Sequence, residues 1–189
     1  MKVRDPILAL AACAVLGWFF VPHPSLVAAP GVSIRGVVVG TPAEEVLATL
    51  GKPLATGNDN DKQNSYMYPA VVPEGVPLNI VWGKKSGLVE QIQGPDLTVN
   101  GKSLPRGSSL DDILAVLGSP DQLLENRPSA YLVYHKYNMC IRFVSHKGIG
   151  LDGAAYYEMR SDLDDYMHWG KPFGEAEFRR DYRVNRFQG

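Results

Sequence analysis

Cysteine and histidine are scarce in this sequence. The chain of 189 residues contains two cysteines and four histidines. A disulfide-rich scaffold needs more cysteines than this, and the histidines do not show the spacing of a helical zinc site. We therefore expect no disulfide framework, no metal and no other cofactor.

An excess of charge of either sign is also missing. Lysine and arginine together number 19, aspartate and glutamate 20, and the formal net charge is −1. A protein whose main partner is nucleic acid carries a basic patch or a basic excess, so we expect no nucleic-acid partner. The nucleophile motif G-x-S-x-G and a phosphate-binding glycine loop are absent as well, so the chain is not expected to be an enzyme.

Hydrophobic residues form one long run, and it lies at the N-terminus. Lys2 and Arg4 come first, residues 7–22 are almost wholly apolar, and small residues follow at 27–29. A positive start, an apolar middle and a small-residue end are typical of an export signal. We predict that residues 1–30 are a signal peptide or a membrane anchor.

Three fates of this segment are open from the sequence. It is cleaved near Ala29, or it is retained as an anchor that contacts the membrane through residues 7–22, a run near the short limit for crossing a bilayer. The third fate is lipidation of Cys13, because residues 10–13 resemble the lipobox of bacterial lipoproteins. Each of the three places the rest of the chain outside the cytoplasm, in the periplasm or outside the cell.

A short pattern occurs twice in the chain. The stretch GTPAEEVLATLGKP at residues 40–53 aligns without a gap with GSSLDDILAVLGSP at residues 107–120. Thr41 and Ser108 are the expected capping residues of the two copies. Each copy also has acids in a first turn, apolar residues at helical spacing and a closing Gly-x-Pro. The pattern predicts two short helices in which Leu47 and Leu114 are equivalent buried residues. Helices this short need a surface to pack on.

That surface is predicted to be a β-sheet. Segments rich in β-branched and aromatic residues follow each helix, which is typical of strands. They are residues 65–72, 76–82, 87–94, 130–137, 138–145 and 148–159. The predicted fold is α+β, with two tandem units at residues 31–97 and 98–159. Each unit is a short helix plus a three-stranded antiparallel meander. The two units form one sheet with both helices on one face, and the other face is concave and partly exposed.

The stretch VVVGTPAEEVLATLGKP, residues 37–53, resembles the opening motif of the SmpA/OmlA family of outer-membrane assembly lipoproteins. The tandem arrangement over about residues 34–159 is similar to the β-lactamase inhibitory proteins, which carry two such units in one chain. Proteins of both kinds bind other proteins and do no chemistry of their own, and the resemblance implies the same here. The inhibitors hold a disulfide in each unit, whereas neither unit here has a cysteine pair, so this second likeness concerns the fold.

Aromatic residues are the candidates for partner binding, because tyrosine, tryptophan and arginine concentrate binding energy at interfaces. On the predicted strands the candidates are Tyr66, Tyr68, Tyr134 and Tyr156. The tail, residues 160–189, adds Trp169, Arg179 and Arg180. It is too aromatic for a plain disordered tail, and it either folds back on the sheet or serves as a docking arm.

The expected function is that of an exported, non-enzymatic protein-binding module, a subunit of a cell-envelope or membrane-associated complex. The alternative is a secreted protein inhibitor of a hydrolase that uses the open face of the sheet. Both functions require another protein as partner, and the sequence does not name it.

Overall fold

The computed structural model of the chain describes residues 31–58, 60–70, 76–144, 156–168 and 170–182. The expected export segment with Cys13, and also Trp169, lie outside the described residues. Within the described ranges, no helix has the length and apolar character needed to cross a bilayer.

The chain alternates short strands with four short helices along its described length. The first half contains β1 (Val32–Ile34), α1 (Ala43–Leu50), β2 (Ala55–Gly57), β3 (Gln63–Tyr68), β4 (Leu78–Gly83) and β5 (Val89–Gly94). The middle contains β6 (Leu97–Val99), β7 (Lys102–Leu104), α2 (Leu110–Leu117), β8 (Gln122–Asn126), β9 (Ser129–Tyr134) and β10 (Met139–Val144). The last elements are β11 (Tyr156–Arg160), α3 (Leu163–Met167), β12 (Lys171–Pro172) and α4 (Glu175–Asp181).

The fold is mixed α/β and consists mostly of strands. A nine-stranded sheet has the order β12-β8-β9-β10-β11-β5-β4-β3-β2, and β1, β6 and β7 form a small three-stranded sheet. All of these pairings are antiparallel. The strands that end the two runs, β5 and β11, pair with each other, so the first and second halves meet in the middle of the large sheet.

Four strands of the large sheet follow each of the helices α1 and α2, one more than the sequence predicts. The extra strands are β2 and β8, each directly after a helix. Strand β2 has the sequence Ala-Thr-Gly and all three residues are exposed, so it has neither the alternation nor the composition that marks a strand. Its pairing with β3 holds it in place instead.

Helix α2 has a capping box, but its cap is Ser109 instead of the predicted Ser108, and α1 has no side-chain cap. Ser109 Oγ accepts from the backbone N–H of Asp112 at 3.1 Å, and the Asp112 carboxylate accepts from the N–H of Ser109 at 3.0 Å, which is a capping box. At α1 the cap position is Pro42, without a side-chain cap. The hydroxyl of Thr41 instead accepts from the N–H of Val38 at 3.4 Å, so the capping role expected for Thr41 is wrong.

The buried stripe of each helix is narrower than expected. Val46 and Ile113 are completely buried, and Ala43 and Leu110 are buried one turn earlier. Leu47 is 39% exposed and Leu114 is half-buried, so the prediction that both are buried is wrong for Leu47. In a helix this short, positions three residues apart face the sheet, and Leu47 lies beside that stripe.

The sheet is covered on both faces in its second half. The main core lies under α1, α2 and α4. A smaller cluster on the opposite face contains Val133 and Cys140, and Leu163 and Met167 of α3 cover it. The face that the sequence analysis leaves partly exposed is therefore covered by α3 over β9 and β10.

Candidate protein-binding site

Two of the predicted anchors, Tyr68 and Tyr134, are buried. Each is 3% exposed. Tyr68 Oη donates to the carbonyl of Gly51 at 3.1 Å, and Tyr134 Oη donates to the carbonyl of Gly118 at 3.0 Å. Both tyrosines therefore tie the end of a helix to the sheet. Their placement on an open face is corrected, because they point into the main core.

The tail folds back on the molecule as a strap. Strand β12 pairs antiparallel with β8, and the N–H of Phe173 donates to the carbonyl of Leu123 at 3.2 Å. Phe178 of α4 is 1% exposed and meets Phe143 edge-on, with ring centroids 4.8 Å apart. Tyr182 stacks on Phe178. Of the two roles open for the tail, residues 170–182 take the structural one.

The two tail arginines lie on the outer side of this strap. Arg179 Nη2 lies 2.9 Å from Asp111 of α2, and Arg179 Nε lies 2.8 Å from Glu175. Arg180 pairs with the neighbouring Asp181 at 2.8 Å. Arg179 thus joins α4 to α2 at the surface, and exposed pairs of this kind contribute little to stability.

The opposite end of the large sheet is uncovered. Strand β2 is the last strand there, and among the described residues no strand pairs with its outer edge. A groove of about 580 Å³ lies between this strand and the end of α1. Its lining residues are Leu47, Gly51, Lys52, Pro53, Leu54, Ala55, Thr56 and Tyr66. Leu54 is 71% exposed, and exposed apolar groups beside an open strand edge are typical of a binding surface.

Tyr66, one of the residues that line this groove, lies against a second aromatic ring. Tyr66 packs on Trp82 with ring centroids 5.7 Å apart, and both are half-buried. Tyr66 pairs with Thr56 across the β2–β3 ladder. In the β8–β9 ladder the corresponding pair is Leu123 with Leu132.

The same position in the second half is filled. Leu132 and Phe143 are completely buried there, because Phe178 of the tail packs on Phe143. Equivalent backbone hydrogen bonds occur at this point in both halves. The N–H of Leu54 donates to the carbonyl of Met67, and the N–H of Asp121 donates to the carbonyl of Val133, both at 2.8 Å. The difference between the two ends of the sheet is therefore the presence of the tail at one of them.

A second group of polar residues lies on the face opposite α1, α2 and α4, beside α3. Glu158 is 2% exposed and accepts from Gln91 at 3.0 Å and from Arg160 at 2.9 Å. Arg160 also donates twice to Asp162, at 2.8 and 3.1 Å, and its guanidinium lies 3.9 Å from the ring centre of Tyr166 in α3. This network joins β11 to α3.

The charges in this network are unequally stabilised. Burial raises the pKa of Glu158 despite the Arg160 guanidinium beside it. The hydrogen bond from Arg160 lowers the pKa of Asp162. Burial works against the charge of Arg160, yet its hydrogen bonds to Asp162 and Glu158 raise the pKa of that guanidinium. Arg160 thus binds two carboxylates. It stabilises the charged form of Asp162, but it does not offset the effect of burial on Glu158.

Tyr156 lies near this network, on the face opposite Tyr66. Its neighbour Tyr157 is buried in the main core, so alternation along the strand turns Tyr156 the other way. The Arg142 guanidinium lies 5.9 Å from the ring centres of both Tyr156 and Tyr131. Tyr66 and Tyr156 therefore belong to different surfaces, and the predicted residues do not form one site.

Metal-ligating side chains are not clustered in the described ranges. No three His, Cys, Asp or Glu side chains among the described residues come together in a way that could hold a metal ion. Cys140 is completely buried, and burial raises the pKa of its thiol well above the ordinary value. A thiol of this kind is unreactive.

Sequence reasoning missed the apolar rim of the groove. Leu47 is predicted to be buried, and Leu54 lies outside the predicted helices and strands. One signal was present in the sequence: Leu54 is an apolar residue directly after the Gly-x-Pro that ends α1, and the second copy has Asp121 there.

Comparison with known proteins gives little further information. No family model and no curated protein matches the chain. A solved structure, the DUF4309 family protein YjgB from Bacillus subtilis subsp. subtilis str. 168, is 17% identical over 62% of this chain and 76% of that chain, with a TM-score of 0.39. A likeness of that size supports no conclusion about this chain.

Proposed function

We propose that the chain is an exported, non-enzymatic protein-binding module made of two tandem units, residues 31–97 and 98–159. The interpretation as two tandem units is supported by contacts that occur in both halves of the chain. Each half has a helix ending at a glycine of positive φ, namely Gly51 and Gly118, and a buried tyrosine that donates to the carbonyl of that glycine. The last strands of the two units pair at the centre of the sheet.

The observation that carries the binding function is the groove beside β2. Leu47 and Leu54 are among the large apolar side chains that the described surface exposes, and both line this groove together with Tyr66. A hydrophobic centre with an aromatic anchor and an open strand edge suits a protein partner. The partner would be another subunit of a cell-envelope or membrane-associated complex.

The test is capture of partners from native membranes by the full chain. We compare the unaltered chain with the double variant Leu47→Asp, Leu54→Asp, which places two charges in the groove. Because both side chains are exposed, the variant should keep its melting temperature within a few degrees. It should lose at least one protein that the unaltered chain captures stoichiometrically, as quantified by mass spectrometry.

A matched control carries the same kind of change elsewhere. Met67 is 42% exposed and lies on the other side of the same hairpin, so Met67→Asp should leave capture unchanged. If the groove variant is folded and captures the same set of proteins as the unaltered chain, the groove is not the binding site and the proposed function loses its support.

Export is tested separately. A reporter that is active only after translocation, fused behind residues 1–35, should be active in a bacterial host. Mass spectrometry of the mature N-terminus then distinguishes cleavage near Ala29, retention of the segment and lipidation of Cys13. A reporter found only in the cytoplasm would contradict the export proposal.

A further inference from the structure

We propose that the β2 edge and its groove bind an extended segment of the partner protein, which adds to the sheet as a tenth, antiparallel strand and places an aromatic side chain in the groove. The inference rests on the proposed function as a protein-binding module and specifies how the partner is held. Its motivation is that the chain's own tail already binds the other end of the sheet in this way.

The backbone at the open edge is arranged to accept a strand. At the covered end the carbonyl of Leu123 points outward and accepts from the N–H of Phe173. Thr56 occupies the corresponding place, because its pairing with Tyr66 on β3 matches that of Leu123 with Leu132 on β9. The N–H and carbonyl of Thr56 therefore point away from the sheet, which is the arrangement that strand addition uses.

The groove requires an aromatic or large apolar side chain. At the covered end Phe173, Phe178 and Tyr182 form one cluster, with ring centroids 5.5 to 6.1 Å apart. At the open end, Tyr66 in the lining of the groove and the Trp82 ring packed on it are only half-buried. An incoming aromatic ring would complete the burial of Tyr66, and such a ring is the usual source of binding energy in a groove.

The charge on α1 indicates a basic group in the incoming segment. Arg179 of the tail binds Asp111 in the first turn of α2. Glu44 holds the same place in the first turn of α1, and Glu44 and Glu45 are both exposed. The segment is thus expected to carry a strand-forming stretch with an aromatic residue, followed by a lysine or arginine that reaches Glu44.

The probe is a synthetic peptide of residues 170–182 of this chain, GKPFGEAEFRRDY, which has these features. It is added in trans to the full chain, and binding is followed by fluorescence anisotropy. With a photoreactive benzoyl-phenylalanine in place of Phe173, the peptide should crosslink to residues 47–56. A peptide with Phe173→Ala should bind about tenfold or more weakly, the usual consequence of removing an aromatic anchor.

Two variants of the chain test the strand pairing. Thr56→Pro removes the outward N–H, and because edge strands tolerate proline the chain should stay folded and bind the peptide about tenfold or more weakly. Met67→Ala changes the same hairpin on its other face and should bind the peptide as before. If Thr56→Pro does not fold, the comparison of the two peptides and the crosslinked positions decide the question.

The outcomes separate this inference from the proposed function. Absence of binding at millimolar peptide, or crosslinks at β8 instead of β2, would overturn strand addition at the open edge. If at the same time the Leu47→Asp, Leu54→Asp variant loses its native partner, the binding function stands and only its mode is wrong. Self-association of the chain that Thr56→Pro abolishes would show that a second copy is the occupant, which also overturns the assignment to a partner protein.

Discussion

A tyrosine in a strand is ambiguous at the scale of the residue. Its ring suits an interface as well as a core. A tyrosine is stable in the core when its hydroxyl has a hydrogen-bond partner there. The carbonyls at the end of a helix lack partners within the helix. Gly51 and Gly118 lie there, and the hydroxyls of Tyr68 and Tyr134 donate to their carbonyls. Burial raises the pKa of both phenols, as expected for neutral donors held in a core.

Removing either hydroxyl should weaken the fold slightly and to a similar degree. Tyr68→Phe and Tyr134→Phe should each lower the free energy of unfolding by about 0.5–1.5 kcal/mol, the usual net value of one hydrogen bond. The two effects should add, since the tyrosines lie in different halves of the sheet. Urea denaturation measures both, and Tyr66→Phe is the control. No loss of stability in either variant would mean that the hydrogen bonds contribute nothing.

Glu158 should make stability depend on pH in the acid range. Its pKa in the folded chain lies above the ordinary value of 4.5, because it is buried. The folded state therefore binds a proton more tightly than the unfolded state, and this contribution is complete below pH 4.5 and is lost as the pH rises through the folded pKa.

The comparison with Glu158→Gln isolates this effect. The free energy of unfolding of the unaltered chain, measured against that of the variant in urea between about pH 4 and pH 7, should decrease as the pH rises. Asp162, whose pKa is lowered, is present in both proteins and stays ionised in the folded state over this pH range. A difference that grows with pH would show that Arg160 outweighs the burial of Glu158.

At the scale of the element, local signals predict α1 and α2 well and the remaining helices poorly. The repeated helices carry their own start and stop residues, and their glycines take the positive φ that ends a helix. Helices α3 and α4 are five and seven residues long, too short to form from local preference. They exist because Met167 and Phe178 are buried against opposite faces of the sheet, which depends on tertiary packing that a single sequence does not display.

The strap should depend on Phe178 and not on the arginines that surround it. Phe178→Ala removes a ring that is 1% exposed and should lower the free energy of unfolding by about 3–5 kcal/mol. It should also expose the tail to limited proteolysis after residue 174, because α4 loses its anchor.

Arg180→Ala is the control for this prediction, since its ion pair with Asp181 lies at the surface. It should leave the unfolding curve and the proteolysis pattern unchanged. A Phe178→Ala chain of unaltered stability would mean that the tail does not hold the second half together, and the contrast between the two ends of the sheet would lose its explanation.

At the scale of the whole molecule, the sequence predicts much of the architecture and little of the binding surface. Two helices, the antiparallel strands and their union in one sheet follow from the repeated stretch and the strand pattern, and the structure shows these features. The groove could not be predicted, because it arises where the tail is missing from one end of the sheet. This difference depends on tertiary structure: among the described residues, β12 pairs with β8 and no strand pairs with the outer edge of β2.

We expect the two halves of the chain to unfold as one cooperative unit, because β5 of the first half pairs with β11 of the second and both contribute to one core. Gly94 of β5 pairs with Tyr157 of β11. A Cβ at Gly94 would lie 2.8 Å from Leu78 Cδ1 and 2.9 Å from Ile34 Cγ2, both of which are completely buried. Gly94→Ala should therefore lower the free energy of unfolding by about 1–3 kcal/mol through overpacking.

Amide hydrogen exchange shows whether that loss is shared by the two halves. In one cooperative unit, the most protected amides of β3 and of β9 lose the same amount of protection in Gly94→Ala, although the altered residue belongs to the first half. The control is Gly174→Ala at the start of α4, where an added Cβ meets nothing within 4 Å and protection should change little. If β3 loses protection while β9 keeps it, the halves are separate folding units, and the β5–β11 pairing is an interface between two small domains instead of the centre of one.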